Sequence, residues 1–250
     1  MNPLSLQVIA LLAVAAFAAG FVDAVAGGGG LLTLPALMAA GLPPHAALAT
    51  NKGQAVFGAV SSAVSFWRKD GVDRDRAPVS FGGALVGSFI GAAAVLAVPP
   101  GPLKPLVLGL LVVAAIAVSI PRRSRGSAIP PTRWVALPIG VALGFYDGFF
   151  GPGTGSLLIV AFVIVFGDPL VRASGNAKVA NLASNLAAVT LFAWRGEVMW
   201  RIALPMAAAN ALGATIGART ALKRGNEFVR VVVLIVVAAL VCKVGWDLTR

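Results

Sequence analysis

The chain has 250 residues, of which 58% are hydrophobic and 12% charged, with a net charge of +11. A soluble domain carries about 25% charged residues, so these proportions exclude an ordinary soluble fold. The positive residues sit in short loops between apolar runs, as the cytoplasmic excess of Lys and Arg in membrane proteins requires, which argues against a nucleic-acid partner.

In chain order, apolar runs are predicted at 3–26, 31–40, 46–67, 77–98 and 103–120, then at 134–150, 156–166, 173–194, 202–218 and 228–246. Uncharged stretches such as 79–103 exceed the 18 apolar residues that mark a transmembrane helix. The apolar N-terminus resembles a signal peptide, but it carries features that recur in the second half and is expected to stay in the mature protein. The expected fold is all-α and polytopic, one membrane domain made of a first transmembrane repeat at 1–120, a basic cytoplasmic linker at 121–133 and a second repeat at 134–250.

The repeat rests on echoes. Gly20-Phe21-Val22-Asp23 leads into Gly27-Gly28-Gly29-Gly30, and 124 residues later Gly144-Phe145-Tyr146-Asp147 leads into Gly151-Pro152-Gly153-Thr154-Gly155. At a spacing of 126, Thr50-Asn51-Lys52 matches Asn176-Ala177-Lys178, and Gly87/Gly91 matches Gly213/Gly217, small-residue pairs suited to helix packing. Internal symmetry of this kind marks transporter folds. The loops 68–76, 121–133 and 219–230 each hold four Lys/Arg, more than the connections between them. With these loops cytoplasmic, both termini lie outside and the two five-element repeats are inverted.

The run 31–40 would be ~15 Å long as a helix, half of a ~30 Å hydrocarbon core. Each Gly tract then interrupts a helix near the midplane, where non-helical backbone is tolerated only inside protein or against a water-filled cavity. A helix N-terminus offers free N–H groups and partial positive charge, and glycine lets the backbone approach a ligand. Two such ends facing each other form a candidate anion site. Its residues are Gly28, Gly29, Gly30 and Thr33 at the first break and Gly153, Thr154, Gly155 and Ser156 at the second. Asn51, Lys52, Asn176, Lys178 and Asn181 come from the following helices.

Three roles compete for Lys52 and Lys178: drawing in the anion, pairing with Asp23 or Asp147, and snorkelling to the interface. Asp23 and Asp147 are poor anion ligands. They are expected to partner the lysines, cap free N–H groups at the breaks or carry protons. Gln54, Asn185 and Asn210 extend a polar stripe that lines a pathway or joins helices. One His and one Cys, Cys242, provide no metal cluster. No nucleotide motif, cofactor site or nucleophile–base set is present, so the chain is not expected to be an enzyme.

At Gly20–Pro35, Ala49-Thr50-Asn51-Lys52, Gly144–Gly155 and the segment from Ala177 to Asn185, the chain resembles the TauE/SafE sulfite exporter family. The resemblance spans both halves. It implies a multi-pass transporter of the bacterial inner membrane for sulfur-containing anions such as sulfite and sulfonates. The combined expectation is a secondary transporter of a small sulfur oxyanion or sulfonate, working by alternating access in the lipid bilayer, alone or as a homo-oligomer. The alternatives are an anion channel and a cation- or proton-coupled transporter using the two acids.

Overall fold

The computed structural model describes residues 5–119 and 132–248. Most of the expected linker at 121–133 lies outside these residues, as do the side chains of Lys104, Cys242 and Trp246. The described residues are helical throughout, with no strand.

The chain runs through α1 (Leu6–Ala26), α2 (Gly30–Ala39), α3 (Pro44–Trp67), α4 (Ala77–Leu96) and α5 (Pro100–Ser119). A 3₁₀ turn at Arg133–Val135 leads into α6 (Ala136–Phe149), α7 (Thr154–Phe166), α8 (Leu170–Trp194) and α9 (Trp200–Leu248). Local chemistry sets the boundaries. Ser5 Oγ accepts the Val8 amide at 3.4 Å and caps α1. Pro44 opens α3 at a position where no N–H is needed. Gly225, with φ 76° and ψ −164°, divides α9 into arms 200–224 and 226–248, near the predicted boundary between the last two runs.

Polarity is distributed inside-out. Leu6, Leu11, Val14 and Leu212 are 62–83% exposed, whereas Lys52 and Lys178 are 3% and 0% exposed. Water would penalise both placements; lipid outside and paired charges inside remove both penalties. By length and composition, α1 and α4 qualify as membrane spans. Asn51, Lys52 and Gln54 lower the hydropathy of α3, and the amides of α8 do the same there. Trp67, Trp134, Trp194 and Trp200 are exposed near helix ends, where interfacial anchors belong.

Glycine brings two helix pairs together. A methyl group on Gly213 or Gly217 of α9 would collide with the carbonyls of Phe17 and Phe21 on α1. On Gly87 or Gly91 of α4 it would collide with those of Val141 and Phe145 on α6. Each residue of the second contact has its counterpart in the first at a spacing of 124 or 126. Backbone-to-backbone approach is how helices associate in lipid, where no hydrophobic force drives them together. Gly213→Val should therefore cost roughly 1–3 kcal/mol through overpacking. Gly82→Ala, on a face with nothing within 4 Å, should be neutral or slightly stabilising. Thermal unfolding of the two purified variants in detergent checks the contrast.

Candidate functional site

The site begins where α1 and α6 stop. Gly27 and Gly28 have φ values of 74° and 90°, and Gly153, just before α7, has φ 87°, a region closed to most side chains. The chain turns sharply there and restarts as the short helices α2 and α7. The two turns touch. A Cβ on Gly155 would lie 2.9 Å from Gly27 Cα, and one on Gly30 would lie 3.2 Å from Pro152 Cα. Ser156 Oγ donates to the Ala26 carbonyl at 2.8 Å, joining the second break to the first.

Two ion pairs cross between the halves at this junction. Lys52 Nζ on α3 meets Asp147 Oδ1 on α6 at 2.8 Å, and Lys178 Nζ on α8 meets Asp23 Oδ2 on α1 at 2.7 Å. Each lysine thus neutralises the acid beside the other half's break. Asp23 Oδ1 also accepts the Gly29 amide at 3.2 Å, so it caps α2 as well. Asp147 Oδ2 accepts from Asn181 Nδ2 at 3.3 Å and from the Ser184 hydroxyl. Pairing and capping, two of the roles open to these residues in the sequence, are combined in one network.

Between the breaks lies a polar cavity of about 30 Å³, room for roughly two water molecules. Gly28, Gly29, Gly30, Asn51, Lys52, Gly153, Gly155 and Asn181 line it, as do both aspartates. The other expected site residues lie outside its lining. Thr33 Oγ1 donates to Asn51 Oδ1 at 2.6 Å and orients that amide from behind. Thr154 Oγ1 bonds the Gly151 carbonyl at 2.7 Å, and the Ser156 hydroxyl is committed to Ala26. Lys178 is fully buried on Asp23.

Asn176 belongs elsewhere. Its Oδ1 accepts the Asp73 amide at 2.8 Å and its Nδ2 donates to Asp168 Oδ2 at 2.8 Å. It therefore joins a second charged cluster, in which Arg76 bonds Asp73 and Asp168 at 2.7 and 2.6 Å. Burial alone would raise Asp73, but the bonds and charge of Arg76 hold its carboxyl below the ordinary value. The stability this supplies is present above the ordinary carboxylate range and is lost as pH falls through the lowered value. Thr50, the counterpart of Asn176, does the matching work: its Oγ1 accepts the Met199 amide at 3.1 Å. Arg76 and Asp168 have apolar counterparts, Ile202 and Leu42, both buried.

The cavity also recruits Gly151, Ala55, Gln54, Asn185 and Asn210. The three amides had signalled themselves as polar residues in apolar helices and Gly151 as the first residue of the second Gly tract; Ala55 gave no signal. Gln54 Nε2 donates to Asn51 Oδ1 at 3.1 Å, while its buried Oε1 has no partner among the described residues. Turning both amides over would keep their mutual bond and let Asn51 donate to the Thr33 hydroxyl.

Breaking a buried pair strands a charge and typically costs 3–5 kcal/mol, while replacing both partners with apolar groups is close to neutral. Asp147→Asn should therefore destabilise the protein by roughly that amount, and Lys52→Met/Asp147→Leu should recover most of the loss. Asp23→Asn should cost less, because the Asp23 side chain is 26% exposed. Denaturation of the three variants and the wild type in detergent tests this order; an Asp147→Asn protein as stable as the wild type would refute it.

Comparison with known proteins adds three findings. The profile of the family described as sulfite exporter TauE/SafE matches residues 12–244. The chain is 38% identical over 251 residues to the probable membrane transporter protein YfcA of Escherichia coli, covering 99% of this chain and 92% of that protein. It is 36% identical over 248 residues to a probable membrane transporter protein of Haemophilus influenzae, covering 98% and 97%. No solved structure matches.

Proposed function

The chain belongs to the TauE/SafE sulfite exporter family of membrane transporters, and from that membership we propose that it is a secondary transporter of a small sulfur oxyanion or organosulfonate, bound between the two helix breaks. Membership makes it a multi-pass membrane protein and a transporter, not an enzyme. The observation that carries the proposal is the convergence of two interrupted helices on one buried polar cavity containing Lys52.

The proposed ligand set is electrostatically economical. The crossed pairs leave no net charge of their own, so the attraction comes from the dipoles at the starts of α2 and α7 and from the amides of Gly30, Gly155 and Ser156, which the turn carbonyls leave free. Asn51, whose Oδ1 takes the bonds from Thr33 and Gln54 and leaves its Nδ2 to donate, and Asn181 add neutral donors. Lys52 can share its ammonium between Asp147 and the anion, having three protons to donate. An anion larger than two waters widens the cavity on entry, and rearrangement at a repeat interface is how such transporters work.

The two repeats are proposed to be inverted, with the Lys/Arg-rich loops 68–76, 121–133 and 219–230 cytoplasmic, both termini outside, and the bacterial inner membrane as location. Matched glycine contacts of α1 with α9 and α4 with α6 support that symmetry. So do the matched loop clasps of Thr50 on Met199 and Asn176 on Asp73. Alternating access follows if these clasps release in turn. The Arg76–Asp168 pair makes the cytoplasmic clasp ionic, while Leu42 and Ile202 make the other apolar.

Sulfite uptake into proteoliposomes is the test. Lys52→Met/Asp147→Asn removes the ammonium without stranding a carboxylate. It should fold and bind sulfite at least roughly tenfold more weakly, the value of a hydrogen bond to a charged group. Gly153→Val, forced into positive φ, should abolish uptake. Unchanged transport by both would remove the breaks and the lysine from the site.

A further inference from the structure

Far from the central cavity, a second, half-open pocket of about 560 Å³ lies between α3 and α9. Its walls carry Arg68 and Lys69 from the end of α3, and Arg219 and Lys223 from the end of the first arm of α9. Arg68 is 16 residues beyond Lys52, ~24 Å along a helix, so this is not part of the site between the breaks. None of the four cations has a carboxylate within 4.0 Å among the described residues. Four unpaired positive charges around one cavity repel one another, and an anion there relieves the repulsion.

The surroundings identify the kind of anion. Val64 and Leu222 share the cavity wall with the cations. One and two turns further along α3, Val60 and Phe57 are each 42% exposed, and along α9 Ile216 and Leu212 are 48% and 62% exposed. At spacings of three, four and seven they continue the faces of Val64 and Arg219. Cations at the end of the bundle therefore adjoin an exposed apolar surface of α3 and α9 that continues toward its middle. A soluble anion would use only the cations; a phospholipid would use both.

The repeat shows that this chemistry is not a requirement of the fold. At a spacing of 126, the counterparts of Arg68, Lys69, Arg219 and Lys223 are Trp194, Arg195, Ala93 and Ala97. Three of the four cations disappear at the corresponding position of the other half. The asymmetry matches the membrane, whose cytoplasmic leaflet carries the anionic lipids.

We propose that this pocket binds an anionic phospholipid, its phosphate held by Arg68, Lys69, Arg219 and Lys223 and its acyl chains lying along the exposed apolar surface of α3 and α9. The purified full-length protein, delipidated in detergent, is titrated with phosphatidylglycerol or phosphatidylcholine, and adducts are counted by native mass spectrometry. The wild type and Arg195→Gln should bind phosphatidylglycerol about tenfold or more in preference to phosphatidylcholine. Arg68→Gln/Lys69→Gln/Arg219→Gln/Lys223→Gln should lose that preference. If the fourfold variant fails to fold, Lys69→Gln/Lys223→Gln, at two exposed positions, should lose at least half of it on a logarithmic scale. An undiminished preference in the folded variants overturns the proposal. So does displacement of phosphatidylglycerol by an equal concentration of tail-less glycerol phosphate, which would make the pocket a site for soluble anions.

Discussion

Two lysines buried in the middle of an apolar bundle are the constraint on which the structure depends. A lysine at the centre of a membrane helix costs ~2.5–3.5 kcal/mol on insertion scales, and in a low-dielectric interior an unpaired ammonium is worse. The chain meets the constraint by crossing its charges: Lys52 to Asp147 and Lys178 to Asp23. Each pair joins a helix of one half to the acid that precedes the break of the other. The breaks are thereby drawn together, and their glycines let the backbones touch. The same pairs cancel the local charge, leaving polar groups with little net field in the cavity.

Comparison of the halves separates what the fold needs from what the site needs. Glycine contacts, crossed pairs and loop clasps occur twice and build the scaffold, and the Lys52–Asp147 pair also lines the cavity. The cavity amides do not repeat: Asn51 and Gln54 correspond to Ala177 and Ala180, and Asn181, Asn185 and Asn210 to Ala55, Ala59 and Ala84. Polar side chains therefore surround the centre unevenly. The ionic clasp at Arg76 and Asp168 and the basic pocket on α3 and α9 likewise occur at one end only. These asymmetries give the two ends of the bundle different chemistry despite a shared architecture.

Much of this was legible in the sequence because membranes simplify the code. Apolar runs located the helices to within a few residues, and the acid-then-glycine motif located both breaks. Charge type singled out Lys52, Lys178, Asp23 and Asp147, with pairing as one of several open roles, but not which acid each lysine meets, since that depends on how the halves interlock. Asn176 is a candidate from the sequence as an amide in an apolar helix, in the echo of Thr50-Asn51-Lys52. Two residues from Lys178 along the helix is a turn of about 200°, which carries it to the loop holding Asp73 instead. Ser156 and Thr154 have the right hydroxyls at the right break, yet carbonyls freed by the turns claim both. Ala55 joins the cavity by position alone, and composition has no signal for that.

Selenite, a heavier relative of sulfite, gives the most direct test of the claim that both breaks serve one anion. Anomalous diffraction from crystals of the wild-type protein grown with saturating selenite would locate the selenium without ambiguity. The expected result is a single strong intramolecular peak in the central cavity, between the starts of α2 and α7 and within hydrogen-bonding distance of Lys52. A dominant peak elsewhere, or no peak between the breaks under conditions where the same preparation transports selenite, would contradict it.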